Sequence, residues 1–462
     1  MQTPSFDTAL IERYGGRGPR YTSYPTAVQF QPGFGEAEYR AEVRRSDAAA
    51  PDAPLSIYVH IPFCHSLCYY CGCSKIVTRH TERAEDYLGL LIREIELQGA
   101  LFSRTRTVEQ LHLGGGTPTY LDREQMRRLF EALNANFSLC PDGRREFSIE
   151  IDPRTVSPAD IGALAASGFN RISMGVQDFE ADVQQAVNRI QSAEDTGALV
   201  RAAREAGFGS VSLDLIYGLP LQTVAGFERT LERVLEMRPD RLAVYSYAHL
   251  PQMFRAQRLI HEEQLPEPAV KLEILRTTIE RLTGAGYVYI GLDHFALADD
   301  ELVKAQQRGE LQRNFQGYST HGNSDLVGLG MTSIGQVGDC YAQNAKEVAP
   351  YRAALEQGKL PIVKGLLMTA DDRIRRSVIQ DIMCRGELDY AAVSERSGIE
   401  FERYFASEIA HLRPLERDGL IEPTPTGFRV CERGRLLLRA IAMTFDGYLA
   451  ANRPQQAFSK II

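Results

Sequence analysis

Four cysteines stand within ten residues, Cys64, Cys68, Cys71 and Cys73, in the run CHSLCYYCGC. Thiolates are soft ligands, and four on one short loop suit metal or redox chemistry rather than a disulfide framework. Zinc is one candidate, but structural zinc sites draw two ligand pairs from separate knuckles. No second pair stands nearby. Cys140, Cys340, Cys384 and Cys431 are scattered singly and read as inert buried thiols. An iron–sulfur cube suits the Cys-x3-Cys-x2-Cys spacing better. Held by three thiolates, it keeps one iron open to a substrate or cofactor, as catalytic metal sites keep an open position. His60 and His65 flank the loop, although a three-thiolate site needs neither.

Further residues able to do chemistry recur after successive apolar runs. Gly114, Gly115 and Gly116 end QLHLGGG, Glu150 lies near the end of EFSIEIDP, Gln177 ends RISMGVQ, and Asp214 lies within SVSLDLIYGLP. With LSIYVHIP from Leu55 and RLAVYSYA from Arg241, six strand-like runs alternate with amphipathic, helix-like stretches. Ser157 is placed to cap one helix and Gly168 to stop it. YVYIGLDHFA from Tyr287 is a candidate seventh strand. The runs read as continuously apolar, which predicts a parallel sheet covered on both faces. The expected fold is α/β: an incomplete, three-quarter parallel barrel of six βα units, with functional side chains at the C-terminal strand ends.

From about residue 365 helix-like segments surround LIEPTPTGFRV, which reads as a hairpin, and the whole resembles a winged-helix module. Residues 371–462 hold 14 basic and 14 acidic side chains. A neutral module is a poor DNA reader, so it reads as structural, a cover over the barrel mouth. The expected divisions are an N-terminal arm and helical lead-in (1–50), the barrel (51–300), an extension completing the site (301–364) and the helical C-terminal domain (365–462). For the whole chain of 462 residues, 44% hydrophobic and 24% charged composition fits a globular protein. A net charge of −8 gives no footprint for nucleic acid. No apolar run reaches the ~20 residues of a membrane span, and the N-terminus lacks a secretory layout. The cytoplasm is the expected location.

The three-cysteine loop after a strand, followed by GGGTP from Gly114, resembles the radical S-adenosylmethionine superfamily. YVHIPFCHSLCYYCGCSKIVTR, LHLGGGTPTYL, SIEIDPRT, NRISMGVQDF, LDLIYGLP, YSYAHLP, FQGYST, GDCYAQN and the early PRYTSYPT are similar, along nearly the whole chain, to the oxygen-independent coproporphyrinogen III oxidases. The resemblance implies one [4Fe–4S] cluster on Cys64, Cys68 and Cys71, with S-adenosylmethionine chelating the fourth iron. One electron then yields a 5′-deoxyadenosyl radical that takes hydrogen from a propionate of coproporphyrinogen III. Loss of CO2 and a further electron leaves a vinyl group, and two cycles give protoporphyrinogen IX. Two molecules of S-adenosylmethionine are implied, with contacts from Tyr58, Tyr70, Gly114, Gly115, Gly116, Thr117, Glu150, Gln177, Arg189, Asp214, Ala248 and Ile334. Cys73, not a ligand, is a candidate either for hydrogen bonding that supports the cluster ligands or for redox or proton work toward substrate, and Tyr58 is the second catalytic candidate. Implied partners are the porphyrinogen and a low-potential donor such as flavodoxin or ferredoxin, with the chain a monomer.

Four propionates call for cations, and Arg20, on an arm able to close over the site and exclude water, is the candidate. Each residue also has a plainer reading: the glycines as a tight turn, Glu150 and Asp214 as strand-end caps, Arg189 as a surface residue, His112 and His294 as core or lining. Two rival functions are a haem chaperone of the same lineage, which generally lacks the fourth cysteine and the arm, and a zinc-stabilised winged-helix regulator. Departures from the family pattern are Ser74 for Asn, Tyr70 for Phe and His321 for Gln, the last with an expected influence on proton supply near the substrate.

Overall fold

The computed structural model describes residues 4–141, 143–451 and 458–461. Six strands, β1 (Leu55–Ile61), β2 (Thr107–Gly115), β3 (Glu146–Ile151), β4 (Arg171–Gln177), β5 (Ser210–Tyr217) and β6 (Arg241–Ser246), pair in parallel in chain order. Helices Glu82–Gly99, Arg123–Asn136, Pro158–Ala166, Ala193–Glu205, Val224–Met237 and Pro268–Gly284 follow them in turn. Local chemistry sets their limits. The Asp160 carboxylate accepts from Ser157 N (2.9 Å) and Ser157 Oγ (2.7 Å) at the start of Pro158–Ala166. Gly168, at φ 107°, occupies the left-handed region that suits glycine just past the end of that helix.

The strands alternate, contrary to the continuous apolar runs expected. In β3, Phe147, Ile149 and Ile151 are buried while Ser148 and Glu150 are half-open; β4 and β5 repeat this with Ser173, Gly175, Gln177, Ser212 and Asp214. Only the helix-covered face is an apolar core. The inner face surrounds a lumen lined by Tyr58, His60, His112, Ser148, Glu150, Ser173, Asp214 and Tyr245, a lining suited to ligands rather than to packed side chains. Leu113, Ile149, Met174, Leu213 and Leu215 sit at 2% exposure or less on the outer face, each contributing about 1.5–3 kcal/mol by burial.

The seventh strand is corrected by the structure. Tyr287–Gly291 (β7) and His294–Leu297 (β8) form an antiparallel hairpin, and β8 pairs antiparallel with β6. Only Leu292 and Asp293 join them, too few for the dozen or more residues of a parallel crossover. At the other edge β9 (Asp325–Leu329) runs parallel to β1, and β10 (Ile334–Val337), β11 (Cys340–Asn344) and β12 (Ile362–Leu367) follow antiparallel. The order is β7-β8-β6-β5-β4-β3-β2-β1-β9-β10-β11-β12, with the end strands β7 and β12 not paired to each other. The barrel is open.

Helices Ala370–Arg385, Tyr390–Ser397 and Ala406–Arg417 pack with a three-stranded sheet of 387–389, 421–424 and 427–430. Their core takes in Ile290 and Ala296 of the β7–β8 hairpin and Tyr21 and Tyr24 of the arm. The Tyr21 hydroxyl donates to Asp446 Oδ2 (3.0 Å), and Tyr24 Oη accepts from Gly447 N (3.0 Å). Arg439, 1% exposed, donates to the carbonyls of Gly18, Pro19, Lys460 and Ile461. One guanidinium thus clasps both outer segments of the chain.

Candidate active site

The thiol loop leaves the C-terminal end of β1 and is pinned by its neighbours. Ile76 N donates to Pro62 O (2.6 Å), Tyr69 N to Val187 O (3.0 Å), and Gln257 Nε2 to Tyr70 O (2.9 Å). Each candidate ligand sulfur accepts a hydrogen bond: Cys64 from Thr117 Oγ1 (3.6 Å), Cys68 from Arg154 and Arg189 (3.4 Å each), Cys71 from Cys73 N (3.4 Å). Burial pushes the Cys64 thiol up to about 11. A hydrogen bond from the Cys73 thiol, with Lys75 alongside, holds Cys71 down at about 5 and leaves Cys73 well above its ordinary value. Among the described residues no three His, Cys, Asp or Glu side chains converge on a single-ion site. Three soft thiols spread over a loop, with donors on every sulfur, fit a cluster rather than one tetrahedral zinc. Neither flanking histidine faces it as a ligand. His65 stacks on Tyr120 (4.4 Å between ring centres), while His60 is held by the Tyr58 hydroxyl (3.1 Å) and Ser74 O (3.0 Å).

The glycines are required by the protein's own packing. A Cβ at Gly114 would stand 2.9 Å from Glu150 Oε1, one at Gly115 2.6 Å from the His60 ring, and one at Gly116 2.7 Å from the Phe63 carbonyl oxygen. Gly115 also has φ 115°, a conformation favouring glycine. Because they lack side chains, Gly115 N reaches Glu150 Oε2 (3.2 Å), with His112 Nε2 at 3.1 Å from Oε1. Burial acts to raise the Glu150 carboxyl, but His112 and Gly115 outweigh it and hold it below the usual range. The Tyr58 ring lies flat against His112 (5.8 Å) beside it.

On β4 and β5, Gln177 takes φ 68° and buries an Oε1 with no partner among the described residues. Asp214 accepts from Ser173 Oγ (3.2 Å); burial, then the nearby Glu150 charge, raises its carboxyl to about 7. Arg189 is buried rather than on the surface, donating to both Asp152 oxygens (3.2 Å each) and to the Gly175 carbonyl. Ala248 lies just past β6, its carbonyl accepting from Gln257 (3.3 Å), and Ile334 opens β10 against Phe30, Tyr341 and Met368. Tyr70 lies beside Cys68 and Arg189.

Arg20 pairs with Asp293 in the β7–β8 turn. His321 lies elsewhere. Its Nε2 donates to Glu146 Oε2 (2.9 Å) at the start of β3, the strand end opposite the thiol loop. Sequence reasoning passed over Asp152 and Arg154, whose guanidinium reaches both Asp152 and Cys68. Their signal was in view, since IDPR continues directly from Glu150. It also passed over Lys75, whose Nζ donates to Cys71 O (3.0 Å).

A family model described as the Radical SAM superfamily matches residues 58–234, and one described as the HemN C-terminal domain matches 368–437. The chain is 49% identical to an oxygen-independent coproporphyrinogen III oxidase of Pseudomonas aeruginosa and 50% identical to that of Escherichia coli, each alignment covering 100% of both chains. It is similar to a solved structure titled coproporphyrinogen III oxidase (HemN) from Escherichia coli, a radical SAM enzyme. That match has a TM-score of 0.92 at 50% identity, covering 97% of this chain and 100% of that one. Among the described residues no helix is long and apolar enough to cross a membrane.

Proposed function

The chain belongs to the oxygen-independent coproporphyrinogen III oxidases of the radical S-adenosylmethionine superfamily, and from that premise we propose how its own residues serve the reaction. The reaction is the oxidative decarboxylation of two propionates of coproporphyrinogen III to vinyl groups, in haem biosynthesis. The family's [4Fe–4S] cluster and S-adenosylmethionine supply an electron and a hydrogen-abstracting radical when bound. The observation that carries the assignment of residues is the thiol loop, in which each of three sulfurs accepts a hydrogen bond while a fourth thiol stands outside.

On this reading Cys64, Cys68 and Cys71 hold the cluster, and the donors on their sulfurs tune its potential. Cys73 supports Cys71 through its backbone N–H and its thiol. Glu150, kept ionised by His112 and Gly115, accepts from ribose hydroxyls. Gly114, Gly115, Gly116 and Thr117 let backbone lie against the first cofactor, with Tyr58 and Ile334 as walls. A second S-adenosylmethionine is assigned to Tyr70, Gln177, Arg189, Asp214 and Ala248. Arg189 orients a carboxylate beside Asp152, and Asp214, poised near neutrality, holds a hydroxyl or ammonium group or passes a proton to one. Arg20 meets a propionate of the substrate. The chain divides near residues 50, 300 and 364, acts as a monomer in the cytoplasm, and takes electrons from a low-potential donor such as a flavodoxin or ferredoxin.

The test is anaerobic incubation with coproporphyrinogen III, S-adenosylmethionine and reductant, scored together for CO2 and 5′-deoxyadenosine. Cys64→Ser is expected to lose both products and its iron, whereas Cys73→Ser keeps its iron. Iron lost from Cys73→Ser would overturn the division of the four thiols. Haem bound stoichiometrically without CO2 release would favour the chaperone reading instead.

A further inference from the structure

A second group of charged side chains, apart from the thiols, lies where the arm meets the β7–β8 turn. Arg313 is 4% exposed. Its Nε donates to the Arg20 carbonyl (3.1 Å), its guanidinium carbon lies 4.8 Å from the Tyr318 ring centre, and its Nη1 is buried with no partner among the described residues. Arg20 pairs with Asp293, and Arg439 meets only carbonyls and the Ser459 hydroxyl. Among the described residues, then, only Arg20 of these three guanidiniums has a carboxylate within ion-pair distance. Buried cations without counter-charge cost several kcal/mol unless an anion joins them.

Their mutual repulsion reaches the neighbours. Burial, then the charges of Arg20 and Arg313, pulls Arg439 down to about 9; burial, then Arg313 and Arg20, takes His294 down to about 3. Tyr245 joins this group to the cofactor side of the lumen. Its ring meets His294 edge-on at 6.0 Å, and its phenol feels both Asp214 and Arg20. A ligand reaching from Asp214 past Tyr245 would bring its far end to Arg313.

We propose that Arg313 binds, beside Arg20, the carboxylate of a propionate that is not being decarboxylated, and so turns the reacting propionate of the porphyrinogen toward the thiol loop. A planar guanidinium with a free edge suits a carboxylate, and a stacked one is already oriented for it. The inference rests on the coproporphyrinogen reading and deepens it.

The test measures binding of coproporphyrinogen III, and of an analogue carrying ethyl groups at the two reacting positions, to the anaerobic holoenzyme. Arg313→Gln is expected to bind both at least about tenfold more weakly. Arg313→Lys, which keeps the charge and loses the fork, is expected to fall between. Iron content and substrate-free cleavage of S-adenosylmethionine by dithionite stay at wild-type levels in both variants. A merely structural Arg313 would lower those two readouts and spare porphyrinogen affinity in whatever folds, and that result overturns the inference. Wild-type affinity for both ligands in Arg313→Gln or Arg313→Lys overturns it too. Wild-type protein that leaves coproporphyrinogen III unbound overturns the reading beneath it instead.

Discussion

Two groups of arginines stand apart in this fold, and they differ in what faces them. At the N-terminal strand ends, Arg171 pairs with Glu146 (3.1 Å) and Glu301, Arg241 pairs with Asp300 (2.8 Å), and His321 closes the group on Glu146. Every cation there has a carboxylate. By the β7–β8 turn, Arg20 pairs with Asp293, while Arg313 and Arg439 donate to backbone carbonyls and pair with no carboxylate among the described residues. The same residue type is thus cross-linked at one end and left short of anions at the other. A satisfied ion group closes the barrel floor; an unsatisfied one awaits a ligand, at a standing cost to stability.

The largest effect separating them is expected at the floor. Glu146→Ala removes the carboxylate that Arg171 and His321 share, leaving Arg171 on Glu301 and Arg241 on Asp300, and should cost about 1–3 kcal/mol, read as a lowered urea midpoint. Turnover per folded molecule should hold, because Glu146 lies at the end remote from the thiols. A loss of turnover in folded protein would break the comparison. Arg20→Gln is the converse. It should leave the urea midpoint unchanged or higher, since it relieves the repulsion that Arg20 shares with Arg313 and Arg439, while weakening porphyrinogen binding about tenfold, or about 1.4 kcal/mol. A clear fall in stability would make the two groups alike.

The smallest effect concerns His321→Gln, expected to cost about 0.5–1.5 kcal/mol and to spare turnover. It sharpens the contrast through pH. Burial acts to raise Glu146, but the His321 hydrogen bond and the Arg171 and Arg241 charges hold it at about 2, against an ordinary 4.5. A depressed carboxylate stabilises the fold fully above its unfolded value, and that contribution is lost as pH falls from about 4.5 toward about 2. With one lowering contact gone the folded value moves back toward 4.5, so His321→Gln should lose less stability than wild type across this window and finish losing it at a higher pH, in acid titrations followed by circular dichroism.

The parallel strands and the thiol loop were legible because each rests on local pattern: a bounded apolar run, a cysteine spacing, a glycine run. Glu150, Gln177 and Asp214 were found from their places near strand ends, and resemblance added Arg189. The polar alternation of β3 to β5 was present in the letters, yet Ser, Gly and Asp between aliphatic residues were absorbed into a continuous apolar reading. The hairpin was misread because strand direction is set by pairing rather than periodicity, although two residues between β7 and β8 leave no room for a crossover. Arg313 was beyond reach. Nothing in LQRNFQGYS distinguishes a buried, half-satisfied arginine from a solvated one until Arg20, nearly three hundred residues earlier, is laid across it.

The Arg439 clasp bears on the order in which the molecule is made. The arm and the segment that meets it stand 441 residues apart at Arg17 and Phe458. A ribosome produces the arm first, and Gly18 and Pro19 gain their guanidinium and its far-side carbonyls only when the 439–461 stretch emerges. The barrel and its thiols are complete long before that. The arm can therefore be fastened by Arg439 only after the thiol loop has been made.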